Sequence, residues 1–183
     1  MFKGLIAGVV IGVLLVAGAV YFYFATGHAP VATTAPDMPF ERTLARTALH
    51  AYLDKLPHTE PTMPADENNL LEGAKVYTEN CAVCHGLPGQ NRTTIAEGMY
   101  PRPPQLFKGT GVTDDDAWET YWKAESGIRM TGMPGFKGRL SEQQIWQVTL
   151  LLKNADKISP AVRAALAPPT AATNAETKEA PKR

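Results

Sequence analysis

Residues 4–25 form a run of 22 residues without a charged side chain, and this run constrains the fold more than any other feature. As an α-helix it would be about 33 Å long, enough to cross the hydrocarbon core of a bilayer, which is about 30 Å thick. A cleaved signal peptide is the alternative, but its apolar core usually has about 7–15 residues and precedes a small-x-small cleavage site. The run therefore predicts a retained transmembrane anchor over residues 1–25.

The basic residues around this run predict its orientation. Lys3 precedes it, and the next basic residue is Arg42. Since basic residues favour the cytoplasmic side, we expect a single-pass protein of the inner membrane whose remaining residues lie on the periplasmic side. Three glycines share one face of the predicted helix and would allow dimerisation through it, although glycine is also common in membrane helices; these are Gly4, Gly8 and Gly12.

Composition divides the rest of the chain. Residues 26–65 read as a linker that contains a short amphipathic helix at about 40–56, and residues 66–158 carry the apolar periodicity of a folded domain. Residues 159–183 are rich in Ala and Pro, which predicts a disordered tail. Lys+Arg and Asp+Glu are balanced at 18 each, so a nucleic-acid partner is not expected.

The folded domain is predicted to be all-α. A first helix is expected at about 70–80 with Asn69 as its N-cap, and a second begins after Thr113 with three aspartates in its first turn. A third follows Ser141, whose side chain and that of Gln144 form a capping box. The intervening loops carry no convincing strand.

Both cysteines of the chain lie in one motif, Cys81-Ala-Val-Cys84-His85. The spacing C-x-x-C-H is the signature of covalent attachment of one c-type haem, with the histidine as an axial ligand of the iron. A structural zinc site would need further Cys or His ligands nearby. A thioredoxin-like dithiol would need a βαβ context, whereas a predicted helix leads into Cys81. The motif therefore predicts haem c as the cofactor.

A second axial ligand must come from downstream, where no histidine follows His85. The candidates are Met99, Met130 and Met133, of which Met133 stands in a Gly-Met-Pro-Gly loop between the second and third predicted helices. A methionine in a loop more often packs as an apolar side chain, so its position alone does not make it a ligand.

With these motifs, residues 66–158 resemble the class I c-type cytochromes, in particular small membrane-anchored members and the cytochrome c subunits of bacterial respiratory oxidases. The resemblance implies a small fold of helices and loops around one haem, with Met133 as the distal ligand opposite His85. It also implies that the Pro104 carbonyl accepts the Nδ1 hydrogen of the histidine. Arg102 would face either a haem propionate or solvent.

The resemblance extends to Gly73 and Tyr77, which match the crossing point of the first and last helices in this family. Trp146 and Leu150 would supply the surface that faces this glycine. Gly73 and Tyr77 are therefore expected to be structural residues.

Two protein ligands leave no open position on the iron, so we expect an electron carrier rather than an enzyme. It would pass single electrons between a respiratory donor protein and an acceptor protein at the outer side of the membrane. One alternative is a fixed cytochrome c subunit of an oxidase or dehydrogenase complex. Another is a haem-based sensor or peroxidase, which would need a vacant or labile sixth position.

Overall fold

The computed structural model describes residues 2–167, and within that range it contains eight α-helices and no β-strand. The all-α prediction is confirmed. The structure divides into two compact units, one that ends at residue 55 and one that begins at residue 56.

The first unit holds two helices, α1 (Phe2–Ala25) and α2 (Glu41–Leu53). The helix α1 is long and apolar enough to cross a membrane, although an N-terminal signal sequence would have the same properties. Thr26 follows the last turn and its hydroxyl donates to the Phe22 carbonyl over 2.6 Å. This bond satisfies one of the carbonyls that a helix end leaves open.

The second unit contains six helices, which are α3 (Glu67–Asn80), α4 (Ala82–His85), α5 (Thr94–Gly98), α6 (Ala117–Ser126), α7 (Glu142–Lys153) and α8 (Pro160–Ala165). The closest packing is between α3 and α7. Gly73 permits this approach, because a Cβ there would overlap the Gln147 carbonyl and lie 3.2 Å from the Leu151 Cβ. The facing surface at Gly73 is thus formed by Gln147 and Leu151, and not by Trp146 and Leu150 as expected.

Two of the three predicted helix starts are wrong in detail. The helix α3 begins at Glu67 because Asp66 caps it and accepts the Asn69 backbone N–H over 2.9 Å. The helix α6 begins at Ala117, so the preceding aspartates lie outside its first turn. Lys153 explains this, since its ammonium donates to the carbonyls of Thr113 and Asp115 over 2.9 and 2.7 Å and holds them in a turn.

The third predicted start is confirmed. The Ser141 hydroxyl accepts the Gln144 N–H over 3.2 Å, and the Gln144 side chain accepts the Ser141 N–H over 2.9 Å. This capping box fixes the first turn of α7, whose residues 145–152 are all buried.

The prediction of disorder from residue 159 is wrong for the first part of the tail, where α8 forms. Ser159 caps this helix by accepting the Val162 N–H over 3.2 Å, and its hydroxyl also donates to the Glu67 carboxylate over 2.6 Å. Val162 and Leu166 are fully buried in the core. These two apolar side chains, one helical turn apart, therefore pack an otherwise Ala-rich segment against the core. Residues 168–183 lie outside the described residues.

Candidate haem site

The C-x-x-C-H motif forms a single helical turn at the end of α3. The helix α4 (Ala82–His85) follows Cys81 directly, and the His85 N–H donates to the Cys81 carbonyl over 2.9 Å. Residues three and four apart in a helical turn share one face, so the turn groups both thiols with the imidazole. Cys81 and Cys84 are half-buried and form no disulfide.

The first thiol of this turn lacks the low pKa that is typical of the attacking thiol in a redox dithiol. Burial raises the pKa of the Cys81 thiol to about 12, and the neighbouring Cys84 adds to the shift. Reactive dithiols instead rely on a thiol whose pKa is lowered below its ordinary value. A zinc site is also unsupported, since no three His, Cys, Asp or Glu side chains within residues 2–167 converge on a common point.

The His85 ring is held by a hydrogen bond to the backbone. Its Nδ1 lies 2.8 Å from the Pro104 carbonyl oxygen. Because a carbonyl can only accept, Nδ1 must carry the hydrogen, which leaves the Nε2 lone pair free to bind a metal ion. Burial lowers the pKa of His85, and the bond to Pro104 opposes this shift in part. The ring is therefore predominantly neutral at pH 7, as a metal ligand must be.

The segment that carries Pro104 is tied back to the motif by side chains. The Arg92 guanidinium donates to the Pro103 carbonyl over 2.6 Å, and the Gln105 side chain donates to the Gln90 carbonyl over 2.9 Å. Tyr77, fully buried on α3, donates its hydroxyl to the Gly86 carbonyl over 2.6 Å. These bonds hold the segment that carries the Pro104 carbonyl in position next to the His85 ring.

Arg92 is the residue of this region that the sequence did not reveal. It lies in the polar stretch Gly89-Gln-Asn-Arg92-Thr, where nothing distinguishes it from a solvent-exposed arginine. Arg102, which we expected to face either a haem propionate or solvent, is exposed, as is Arg92.

Met133 lies half-buried on the loop between α6 and α7. Its carbonyl accepts the Ile128 N–H over 3.3 Å, and its N–H donates to the Thr131 hydroxyl over 3.1 Å. Gly127 and Gly135 lie where the two ends of the loop meet. The two backbone segments are so close there that neither position has room for a Cβ atom. At Gly127 a Cβ would lie 2.5 Å from the Gly135 nitrogen, and at Gly135 it would lie 2.7 Å from the Ser126 carbonyl carbon.

The other two methionines occupy different surroundings. Met130 is 92% exposed and has a φ of 61°, so its thioether lies in solvent. Met99 packs against Gly132, with its terminal methyl in the space that a Cβ at that glycine would fill. Met133 and Met99 are thus both half-buried, the first within the loop and the second packed against it, whereas Met130 is exposed.

The donor set fits haem c. Two unpaired thiols share a helical turn with an imidazole whose Nε2 is free, and a soft thioether is held on a separate loop. Thiols can form the thioether links to the haem vinyl groups, and an imidazole with a thioether is a common axial pair for haem iron.

Comparison with known proteins agrees with this assignment. Residues 68–151 match the family described as cytochrome C oxidase, cbb3-type, subunit III. Cytochrome c6 of Synechococcus sp. is 34% identical over 85 residues, which are 46% of this chain and 69% of that protein. Cytochrome c6 of Parathermosynechococcus lividus is 32% identical over 80 residues, which are 44% of this chain and 83% of that protein.

A larger protein also shares this segment. The 1-butanol dehydrogenase (cytochrome c) of Thauera butanivorans is 30% identical over 94 residues, which are 51% of this chain but only 12% of that enzyme. The similarity is thus confined to one part of a much longer protein. Together with the helical fold and the donor set, these matches show that the chain belongs to the class I c-type cytochromes, an electron-carrier family whose cofactor is covalently bound haem c.

Proposed function

We propose that this protein is a membrane-tethered, monohaem electron carrier that passes single electrons between respiratory complexes at the outer side of the membrane. The observation that carries the proposal is the combination of an oriented His85 and a methionine loop closed by its own backbone. Such a site would offer a haem iron two protein ligands, which would leave no position for a substrate.

Each residue of the site has one role in this proposal. Cys81 and Cys84 would attach the haem covalently, and His85 Nε2 and the Met133 sulfur would bind its iron. The bound haem supplies a reversible one-electron change, and a thioether ligand raises its reduction potential. The Pro104 carbonyl keeps the imidazole in the correct tautomer and orientation, which also raises its basicity. Arg102 would remain at the surface, where a charged side chain can face a propionate or solvent.

The tether is α1. Its 24 residues contain one charged side chain, Lys3, and none of its residues is buried in the protein. We expect the full-length protein to stay in the membrane after an alkaline wash, and its mature N-terminus to precede residue 25. Release by the wash, or an N-terminus beyond Ala25, would assign α1 to a cleaved signal sequence.

A fixed subunit of an oxidase or dehydrogenase complex is the second candidate. It is favoured by the match to an oxidase subunit family and by the relative in which a similar segment forms part of a dehydrogenase. The two candidates differ in what remains bound after mild detergent extraction. A carrier should elute as the cytochrome alone, whereas a subunit should copurify with stoichiometric partner polypeptides.

Electron transfer itself can be tested in membranes from a strain that lacks the protein. Added full-length cytochrome should restore oxidase-linked turnover, and the Cys81→Ala/Cys84→Ala variant, which cannot attach haem, should not. Equal restoration by both proteins would contradict the proposed function.

A further inference from the structure

The helix α2 presents an exposed apolar row on one side. The row consists of Leu44, Ala48 and Tyr52, which lie at 40 to 120° on a helix of 100° per residue counted from residue 40, and of Phe40, which directly precedes the helix with a φ of 64°. Phe40 is 75% exposed, Leu44 66% and Tyr52 54%, and Ala48 is also exposed. Amphipathic helices are stabilised by covering such a face, so this row is suited to contact an apolar phase.

The one buried residue of α2, Leu53, does not belong to the exposed row. Leu53 is 2% exposed and lies at about 220° on the same helical projection, far from the centre of the row. Polar side chains occupy the remaining arc, including Thr43, Arg46 and His50. Leu53 and the polar side chains therefore share the side of the helix that is opposite the apolar row.

The start of α2 is built by local contacts, so the row belongs to a formed helix. The Met38 N–H donates to the Glu41 carboxylate over 2.8 Å, and Arg42 forms an ion pair with Asp37. Glu41 falls on the same side as the row, but its carboxylate is engaged with this turn. The acid therefore does not interrupt the apolar face.

The distance along the chain places α2 near any membrane that holds α1. Fifteen residues separate Ala25 from Glu41, and they can span at most about 50 Å when fully extended. Residues 26–36 contain no Asp, Glu, Lys or Arg. A short tether of this kind raises the effective concentration of α2 at the bilayer surface, which strengthens an otherwise weak contact.

We propose that α2 lies along the outer surface of the membrane that α1 spans, with the apolar row at the boundary between headgroups and acyl chains. The inference rests on the proposed function, because it requires α1 to be a retained anchor. Aromatic rings at both ends of the row suit the bilayer interface, where Tyr and Phe place their apolar bodies, and the polar side then faces water.

This arrangement restricts the haem domain. With α2 held at the surface, only residues 54–66 remain between it and α3, and they reach at most about 45 Å. The cytochrome would then search for its redox partners within a layer next to the membrane, and not in the full depth of the surrounding compartment.

Spin labels on the full-length, haem-loaded protein test the contact in vesicles of phosphatidylethanolamine and phosphatidylglycerol. The haem consumes Cys81 and Cys84, so Ala48→Cys introduces a single reactive thiol on the row, and Thr43→Cys introduces one on the polar side. We expect the ratio of oxygen to nickel-chelate accessibility to be several-fold higher at position 48 than at position 43. Leu44→Glu, added to Ala48→Cys, should remove most of this difference.

A spin label at Leu14→Cys in α1 distinguishes a failure of the membrane anchor from a failure of the proposed lipid contact. If it lies in lipid while positions 43 and 48 are equally open to the nickel chelate, α2 is not at the interface and the anchor still stands. If it is open to the chelate, both the anchor and the inference are overturned. If position 48 is shielded from both oxygen and the nickel chelate, the row is covered by protein. In the purified sample that protein can only be a second copy of this chain, and the proposed lipid contact is overturned.

Discussion

The His85 ring and the Met133 side chain are held by different kinds of contact. On the His85 side, side chains bond to backbone carbonyls of segments remote in sequence, as His85 does to Pro104 across 19 residues and Arg92 to Pro103 across 11. On the Met133 side, the loop is closed by its own backbone, which passes too near for a Cβ at Gly127 and Gly135.

This difference predicts different sensitivities. The His85 region should depend on its side-chain hydrogen bonds, and an alanine at Gly89 in that region would strain the backbone but meet no overlapping atoms. The Met133 region should depend on its glycines, since a weak thioether ligand requires a loop that packing holds in place. Four sets of substitutions test the contrast.

The largest effect is expected from the two thiols. Cys81→Ala with Cys84→Ala removes both points of covalent attachment, so we expect a complete loss of haem that survives acid–acetone extraction and denaturing electrophoresis. Covalent haem retained in the double variant would contradict the assignment of these residues.

The next largest effect concerns the distal ligand. Met133→Ala should abolish the weak near-infrared charge-transfer band of the oxidised protein and lower its reduction potential, because the iron loses the thioether that favours its reduced state. Met130→Ala is the matched control, since Met130 is 92% exposed, and it should leave the band and the potential unchanged. A loss of the band in the control alone would move the ligand assignment to Met130.

Two glycines with similar φ values differ in whether a Cβ atom would fit beside them. Gly127 and Gly89 have φ values of 70° and 74°, but only Gly127 lacks room for a Cβ. The positive φ should make an alanine at either site cost about 1–3 kcal/mol, and at Gly127, where ψ is −179°, the backbone occupies a region that is essentially restricted to glycine. Gly127→Ala must also displace the loop, which adds about 1–3 kcal/mol and should weaken the near-infrared band. Denaturant titration and the band intensity measure both effects, and equal losses at the two sites would refute the contrast.

The smallest effect is expected from the arginines. Arg92→Ala removes a hydrogen bond to the Pro103 carbonyl at a partly exposed site, so we expect a loss of about 1 kcal/mol in the free energy of unfolding. Arg102→Ala should change it by less than about 0.5 kcal/mol, because surface substitutions away from special features have little effect. Denaturant titration of both variants checks this, and a larger loss from Arg102 would show that the sequence had identified the more important arginine.

The parts of the fold that depend on local signals could be predicted from the sequence. The capping box at Ser141, the four-residue spacing in α2 and the uncharged run of α1 each act within a few residues and are visible in the chain itself. The start of α6 could not be predicted, because Lys153, about 40 residues away, holds the preceding carbonyls in a turn.

The same reason explains α8 and Arg92. The helix α8 exists because Val162 and Leu166 enter a core built mainly by α3 and α7, and local composition does not show that core. Arg92 acquires its role only when the chain folds back and brings the Pro103 carbonyl to it. Residues that act across the fold are therefore among those that short motifs do not reveal, and the local cap residue Asp66 is a further one.

Carbon monoxide binding to the reduced, unmodified protein tests the central claim most directly, namely that the protein itself fills both axial positions of the haem. If Met133 closes the site, the natively folded protein should bind carbon monoxide slowly or not at all, and Met133→Ala should bind it rapidly. Rapid binding by the unmodified protein would show an open position on the iron, and it would contradict the electron-carrier account in favour of a haem-based sensor or peroxidase.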